Sequence, residues 1–145
     1  MVEKLSLNNA IDRVKLGETV HCTTVAMVPY IYDYEISYNS CGMCQIELHD
    51  GICAKHGKDY GVSRSLYKLY VILEQDGFEI EALAFDNVGN KLFDMGVSDF
   101  ASLMYSDTEK YNKAFCDVID KEYKLHLSFC INQDQIHCIV EDIEN

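Results

Sequence analysis

The hydrophobic pattern is strand-like along most of the chain, with helical spacing near the start and in the second half. Ser6 to Val14 reads as a short helix, with Ser6 as N-cap and Gly17 just past its end. From Thr19 to Tyr38 the residues become β-branched and aromatic (TVHCTTVAMV, then PYIYDYEISY). Pro29 predicts a break or bulge in this long strand, because proline cannot donate to a ladder. SLYKLYVILEQ and FEIEALAFD flank Asp76-Gly77, which predicts a hairpin. A helical region follows from about Asn87 to Asp120. Ser98 is expected to cap DFASLMYS and Thr108 to cap EKYNKAFCDVI, where Tyr111, Phe115 and Ile119 share a face. Tyr123, Leu125, Leu127, Phe129 and Ile131 alternate as a half-buried strand. A turn at Gln133-Asp134 then leads into QIHCIVEDI.

The predicted order is strand, cysteine-rich insert, strand, strand, helix, strand, strand. That is the layout of an OB-fold: a mostly β, five-stranded Greek-key barrel with helices between the third and fourth strands. No Gly/Ser-rich linker, repeat or low-complexity tract interrupts the chain, so residues 1–145 are expected to form one domain, with 41–56 inserted between the first two strands.

Composition narrows the class. At 145 residues, 48% hydrophobic and 25% charged, the chain can bury a core and is not disordered. No apolar run reaches the ~20 residues of a membrane helix and no basic-then-apolar leader opens the sequence, so neither a membrane partner nor secretion is expected. The formal charge of −12 weighs against polyanionic partners in general. The excess is uneven, however. Lys55, Lys58, Arg64 and Lys68 share their stretch with one acid, Asp59, whereas residues 74 to 86 hold five acids and no base, and the tail adds Glu141, Asp142 and Glu144.

Seven cysteines are many for this length. Cys22, Cys116, Cys130 and Cys138 are scattered among apolar residues and read as small buried hydrophobes. The others form SCGMCQIELHDGICAKHG: Cys41-x2-Cys44, an eight-residue spacer turning at Asp50-Gly51, then Cys53-x2-His56. Two knuckles supplying three thiolates and an imidazole complete the tetrahedral shell that zinc prefers, with His49 as the alternative to His56. A closed four-ligand shell leaves no position for water, so one structural Zn2+ is expected.

A zinc ribbon inserted between the first two strands of an OB-fold resembles the C-terminal DNA-binding domain of the large subunit of replication protein A, from about Val20 to Ile143. The likeness is carried by TTVAMVPYIYD, the aromatic step SYNSCGMC, the knuckle CAKHG, the strand YKLYVILEQDG, the segment ALAFDNVGNKLFDM and the closing QIHCIVEDI. It implies single-stranded DNA binding across the open barrel face, other OB-fold subunits as partners, a nuclear location, and a role in replication, repair or telomere maintenance. By the same resemblance Phe85 falls where a base would stack; from its own context it is either a stacking platform or core filler.

Lys55, Lys58, Arg64 and Lys68, interleaved with Tyr60, Tyr67 and Tyr70, read as a strand-tracking groove or as an ordinary basic face. Two departures stand against the family pattern. The fourth strand offers only Lys124, His126 and Ser128 toward DNA, and the C-terminal helix that joins the large subunit to its trimer has no counterpart, as in a trimmed or stand-alone relative. Binding is therefore expected to be weak alone. The competing expectation is an acidic, zinc-stabilised scaffold that docks proteins and binds little DNA. Catalysis is not expected: there is no Ser/His/Asp order, phosphate loop or open metal site, and His21, His126 and His137 sit at strand positions.

Overall fold

The computed structural model describes residues 2–50, 52–58 and 64–144. In chain order these form β1 (Glu3–Lys4), α1 (Leu7–Lys15), β2 (Val20–Ile31), β3 (Ser37–Ser40), β4 (Ile52–Cys53), β5 (Gly57–Lys58), β6 (Arg64–Gln75), β7 (Phe78–Phe85), α2 (Asp86–Phe93), α3 (Val97–Ser106), α4 (Thr108–Val118), β8 (Glu122–Asn132) and β9 (Gln135–Glu144).

Five strands close the barrel. β2 runs antiparallel to β8, β8 to β9, and β7 to β6, while β9 meets β7 in parallel. β6 returns to β2 through Tyr30–Ile72 and Ile31–Val71, which completes the OB-fold circuit. Two-residue hairpins set two of these registers. Asp76 and Gly77 take φ values of 53° and 81°, and Gln133 and Asp134 take 53° and 62°. Positive φ at both central positions is the type I′ turn that matches the right-handed twist of paired strands. The Asp-Gly expectation thus holds, and Gln133-Asp134 turns as expected.

The predicted Thr19–Tyr38 strand carries its bulge at Pro29, as expected, and also breaks further on. Pro29 lies inside β2, where the pairing with β6 slips between Met27 and Tyr30, so the bulge needs no donor from it. The break falls later, between β2 and the short β3. Helix starts also shift. Ser6 caps α1 as expected, accepting from the Asn9 amide, but Gly96 precedes α3, with Ser98 inside it, and Asp107 rather than Thr108 caps α4, accepting from the Lys110 amide.

Inside the barrel Val20, Cys22, Ala26, Leu69, Val71, Leu73, Ala82, Ala84, Leu125, Leu127 and Phe129 are buried, as inward alternation requires. Ile131 leaves that pattern and is exposed, because β8 and β9 there extend beyond the barrel as a two-stranded hairpin. Cys22 and Cys138 are buried as expected; Cys116 and Cys130 are exposed, which corrects their reading. Helix α1 packs Leu7, Ala10, Ile11 and Val14 onto β2 and β8.

Helices α2 to α4 gather Phe93, Phe100, Tyr111 and Phe115 around Tyr67, with ring centroids 4.2 Å apart for Phe93–Phe100 and 6.2 Å for Tyr67–Phe100. Tyr67 is 0% exposed, and its hydroxyl donates to the Met95 carbonyl at 2.9 Å. Burial pushes its phenol pKa well up, with Asp86 adding to the shift. Tyr67 is therefore a core residue and not part of a groove, because β6 passes beneath the helices at that point.

Candidate metal centre and nucleic-acid interface

The insert is built from short turns. Cys41 receives a backbone bond from Gln45 at 2.9 Å and donates one to Ile46 at 2.8 Å, closing the first knuckle. His49 and Ile52 exchange two backbone bonds of 3.0 Å around Asp50, whose φ is 55°, so the spacer turns as expected; Gly51 lies outside the described residues. Gly57, with φ 72°, lets β4 and β5 pair directly after the second knuckle. A Ser40–Glu47 bridge and the Leu48 amide on the Asn39 carbonyl anchor the insert to β3.

This framework brings Cys41, Cys44, Cys53 and His56 together, with all ligand atoms within 4.8 Å of one another. Cys44 and Cys53 sulfurs lie 3.6 Å apart, and His56 Nδ1 is 3.7 Å from both Cys41 and Cys53 sulfurs. Ligands about 2.3 Å from a tetrahedral zinc are separated by about 3.8 Å, so the cluster has the dimensions of that shell. Backbone amides prepare the thiolates. Met43 donates to Cys41 sulfur, and Lys55 and His56 to Cys53 sulfur, each at 3.4 Å. The His56 amide, foremost, holds the Cys53 thiol below its ordinary pKa. Cys41 and Cys53 are buried, while Met43, Ile46 and Ile52 around them are exposed. The ligands themselves are the centre of the insert. His49, the alternative fourth ligand, is not among the clustered residues.

Beside the insert, the outer face of β6 and β7 carries the candidate interface. Cross-strand register pairs Lys68 with Phe85 and Tyr70 with Leu83, and pairs Tyr38 of β3 with Leu66. Ala82 and Ala84 point into the barrel, so Phe85 faces outward, half-buried, its ring 6.4 Å from Tyr38 in an edge-to-face contact. The alternation left open in the sequence thus resolves to the outer face. Lys68 lies next to this pair but is bound to Glu47 at 3.3 Å. Arg64 and Lys55 are exposed at the insert end. Tyr60 and the side chain of Lys58 lie outside the described residues.

The tyrosines after Pro29 were not foreseen as site residues. Tyr30, Tyr32 and Tyr34 contact one another edge-on, with centroids 5.1 and 5.7 Å apart, and Tyr32 reaches Tyr70 at 6.4 Å. They continue the aromatic surface across the barrel, and their signal was legible: tyrosine at every second position of PYIYDYE puts three rings on one side of an extended chain.

No family model and no curated protein matches the chain. Among solved structures it is similar to a replication protein A heterotrimer bound to ssDNA, at TM-score 0.80 and 14% identity over 99% of this chain and 36% of that one. It is also similar to yeast RPA bound to ssDNA, at TM-score 0.71 and 17% identity over 100% of this chain and 89% of that one. The chain spans about a third of the length of the first of these. The fold is that of the RPA OB-folds. Among the described residues no helix is long and apolar enough to cross a membrane.

Proposed function

We propose that this protein is a single-stranded-DNA-binding OB-fold module, a binding protein rather than an enzyme, in which one structural zinc on Cys41, Cys44, Cys53 and His56 holds the insert against the barrel. It works in the nucleus beside other OB-fold subunits, in replication, repair or telomere maintenance. The observation that carries the reading is the outward Tyr38–Phe85 pair, with Lys68 across from Phe85, Arg64 across from Ser40 towards the insert, and Lys55 exposed on the insert itself. Bases stack on such rings without regard to sequence, and nearby cations take the phosphates. The two similar structures, both of RPA bound to ssDNA, support it.

Titration with labelled oligo-dT at low salt tests the proposal. Saturable binding with little base preference is expected; its failure at tens of micromolar would end the reading for this chain alone. A second reading, an acidic scaffold with little DNA binding, is favoured by one contact: Lys68 is neutralised by Glu47. Charge reversal at Lys55, Lys58 and Arg64 separates the two. Loss of oligo-dT binding supports the DNA module, whereas retained binding to protein partners supports the scaffold.

A further inference from the structure

The barrel has an open seam at the end of β7 away from Phe85. β7 and β9 share only the parallel register Leu83–Ile139 and Ala84–Val140, although β7 begins at Phe78 and pairs with β6 along its whole length. From Phe78 to Glu81, β7 has no strand partner on its second side among the described residues. The strands part around a cleft of about 360 Å³ lined by Tyr70, Glu81, Leu83, Ile136 and His137. An unpaired strand edge is a template for another chain, and edges are guarded by charged side chains, above all lysine, by proline or by a covering loop. Here the only charges are Glu79 and Glu81, which repel an acidic chain and admit a basic one. The segment Phe78–Glu81 contains neither Lys nor Pro.

The face beside that edge has its own chemistry. Glu74 of β6 stands directly across from Glu79 of β7, and Glu81 follows on the same side. Like charges directly opposite on a sheet destabilise it. None of the three is ion-paired with a described Lys, Arg or His. Tyr30, Tyr32 and Tyr70 lie next to them on the outer surface, as the Tyr30–Ile72 register and the Tyr32–Tyr70 contact show. Phosphates would be repelled from this half of the face. An extended chain bearing arginines gains backbone pairing, carboxylate partners and aromatic faces for its guanidinium groups.

We propose that the free edge of β7 takes up a basic, extended segment of a partner protein as an added strand, its cationic side chains lying over Glu74, Glu79 and Glu81 and against the tyrosines. The surface lies further along the same two strands than the Lys68–Phe85 pair, Glu81 standing four residues before Phe85. The same barrel face thus holds a nucleic acid at one end and a basic peptide at the other, with Tyr70 between them.

The test uses the full chain, isotopically labelled for NMR, and a short fluorescent peptide alternating Arg and Val. Saturable binding at low ionic strength is expected, with the largest amide shifts at Phe78–Ala82 and along the facing part of β9. Glu79→Gln with Glu81→Gln should weaken binding about five- to tenfold, as the loss of two partly exposed charge pairs implies. A peptide of equal charge with N-methylated amides should lose affinity, because it cannot pair with the strand edge. Undiminished binding by the double variant, equal binding of the methylated peptide, or shifts confined to other acidic surfaces would overturn the proposal. So would oligo-dT shifting the same β7 amides, since the face would then belong to nucleic acid.

Discussion

Tyr67 and Phe85 show how two aromatics with similar sequence surroundings acquire opposite roles. Tyr67 is sealed under the helices, where Gly89 leaves room for it: a Cβ on Gly89 would stand 2.3 Å from the tyrosine ring. Gly89→Ala must push the ring or helix α2 aside and should cost about 1–3 kcal/mol, read as a shift in the denaturation midpoint. Tyr67→Phe removes the hydroxyl from the Met95 carbonyl and should cost about 1 kcal/mol of stability while leaving oligo-dT affinity unchanged. Phe85→Ala should do the reverse. It should weaken oligo-dT by about 1–3 kcal/mol, the worth of one base stack, with little change in melting temperature beyond the lost contact with Tyr38. If Tyr67→Phe weakened DNA binding and Phe85→Ala did not, the assignment of the outer face would be wrong.

At the level of elements, the insert and the barrel are stabilised by different means. The barrel has its own apolar interior, closed by α1 on one side and α2 to α4 on another. The insert buries Cys41 and Cys53 but exposes Met43, Ile46 and Ile52, so it has no hydrophobic centre to survive without its ligands joined. Metal binding in such modules is folding free energy, about 10–16 kcal/mol in zinc-finger peptides. Chelation should therefore collapse the amide dispersion of the insert while leaving the barrel signals in place. An insert still ordered without metal would show that the anchors to β3 suffice. Among the helices, Asp107→Ala should cost about 1 kcal/mol through the lost cap on α4, whereas the same change at Thr108, the residue expected to cap, should cost less.

For the whole molecule, charge placement matters more than its sum. Lys68 is tied to Glu47, so the proposed phosphate contacts fall to the exposed Lys55 and Arg64 and, from its place in the sequence, to Lys58. At about 0.7 per phosphate for single strands, three contacts give a log–log salt slope near −2, measurable by titration across ionic strengths. The acidic tail has a stabilising side. Asp142 is held below the usual carboxylate range by the Lys91 ammonium and then by the Ile143 amide, and Glu144 by His126 and then Lys124. Both folded values lie below the unfolded ones, so their stabilisation is present above about pH 4 and is lost as pH falls further. Lys91→Met should remove the Asp142 part of this fall in melting temperature over that acid range, modestly, because the pair is partly exposed.

The sequence by itself determined what depends on neighbours along the chain. Asp76-Gly77 and Gln133-Asp134 fix their turns through local φ preferences, Ser6 caps its helix through a side chain three residues from its partner, and the two knuckles carry their ligands on short, self-contained loops. The strand order followed from these, and with it the OB-fold. Tertiary structure decided what depends on the other side of a strand. Whether Tyr67 or Phe85 faced outward turned on which face of the sheet the helices cover. Whether Lys68 was available to a ligand turned on Glu47, brought beside it by the insert's bridge to β3. Where the break after β2 fell depended on where the barrel ends, and which cysteines were buried depended on the face each took, Cys22 and Cys138 inward, Cys116 on α4 and Cys130 on β8 outward. The free edge of β7 could not be read at all, because β9, which could have covered it, lies more than fifty residues away in the chain and diverges from it only in three dimensions.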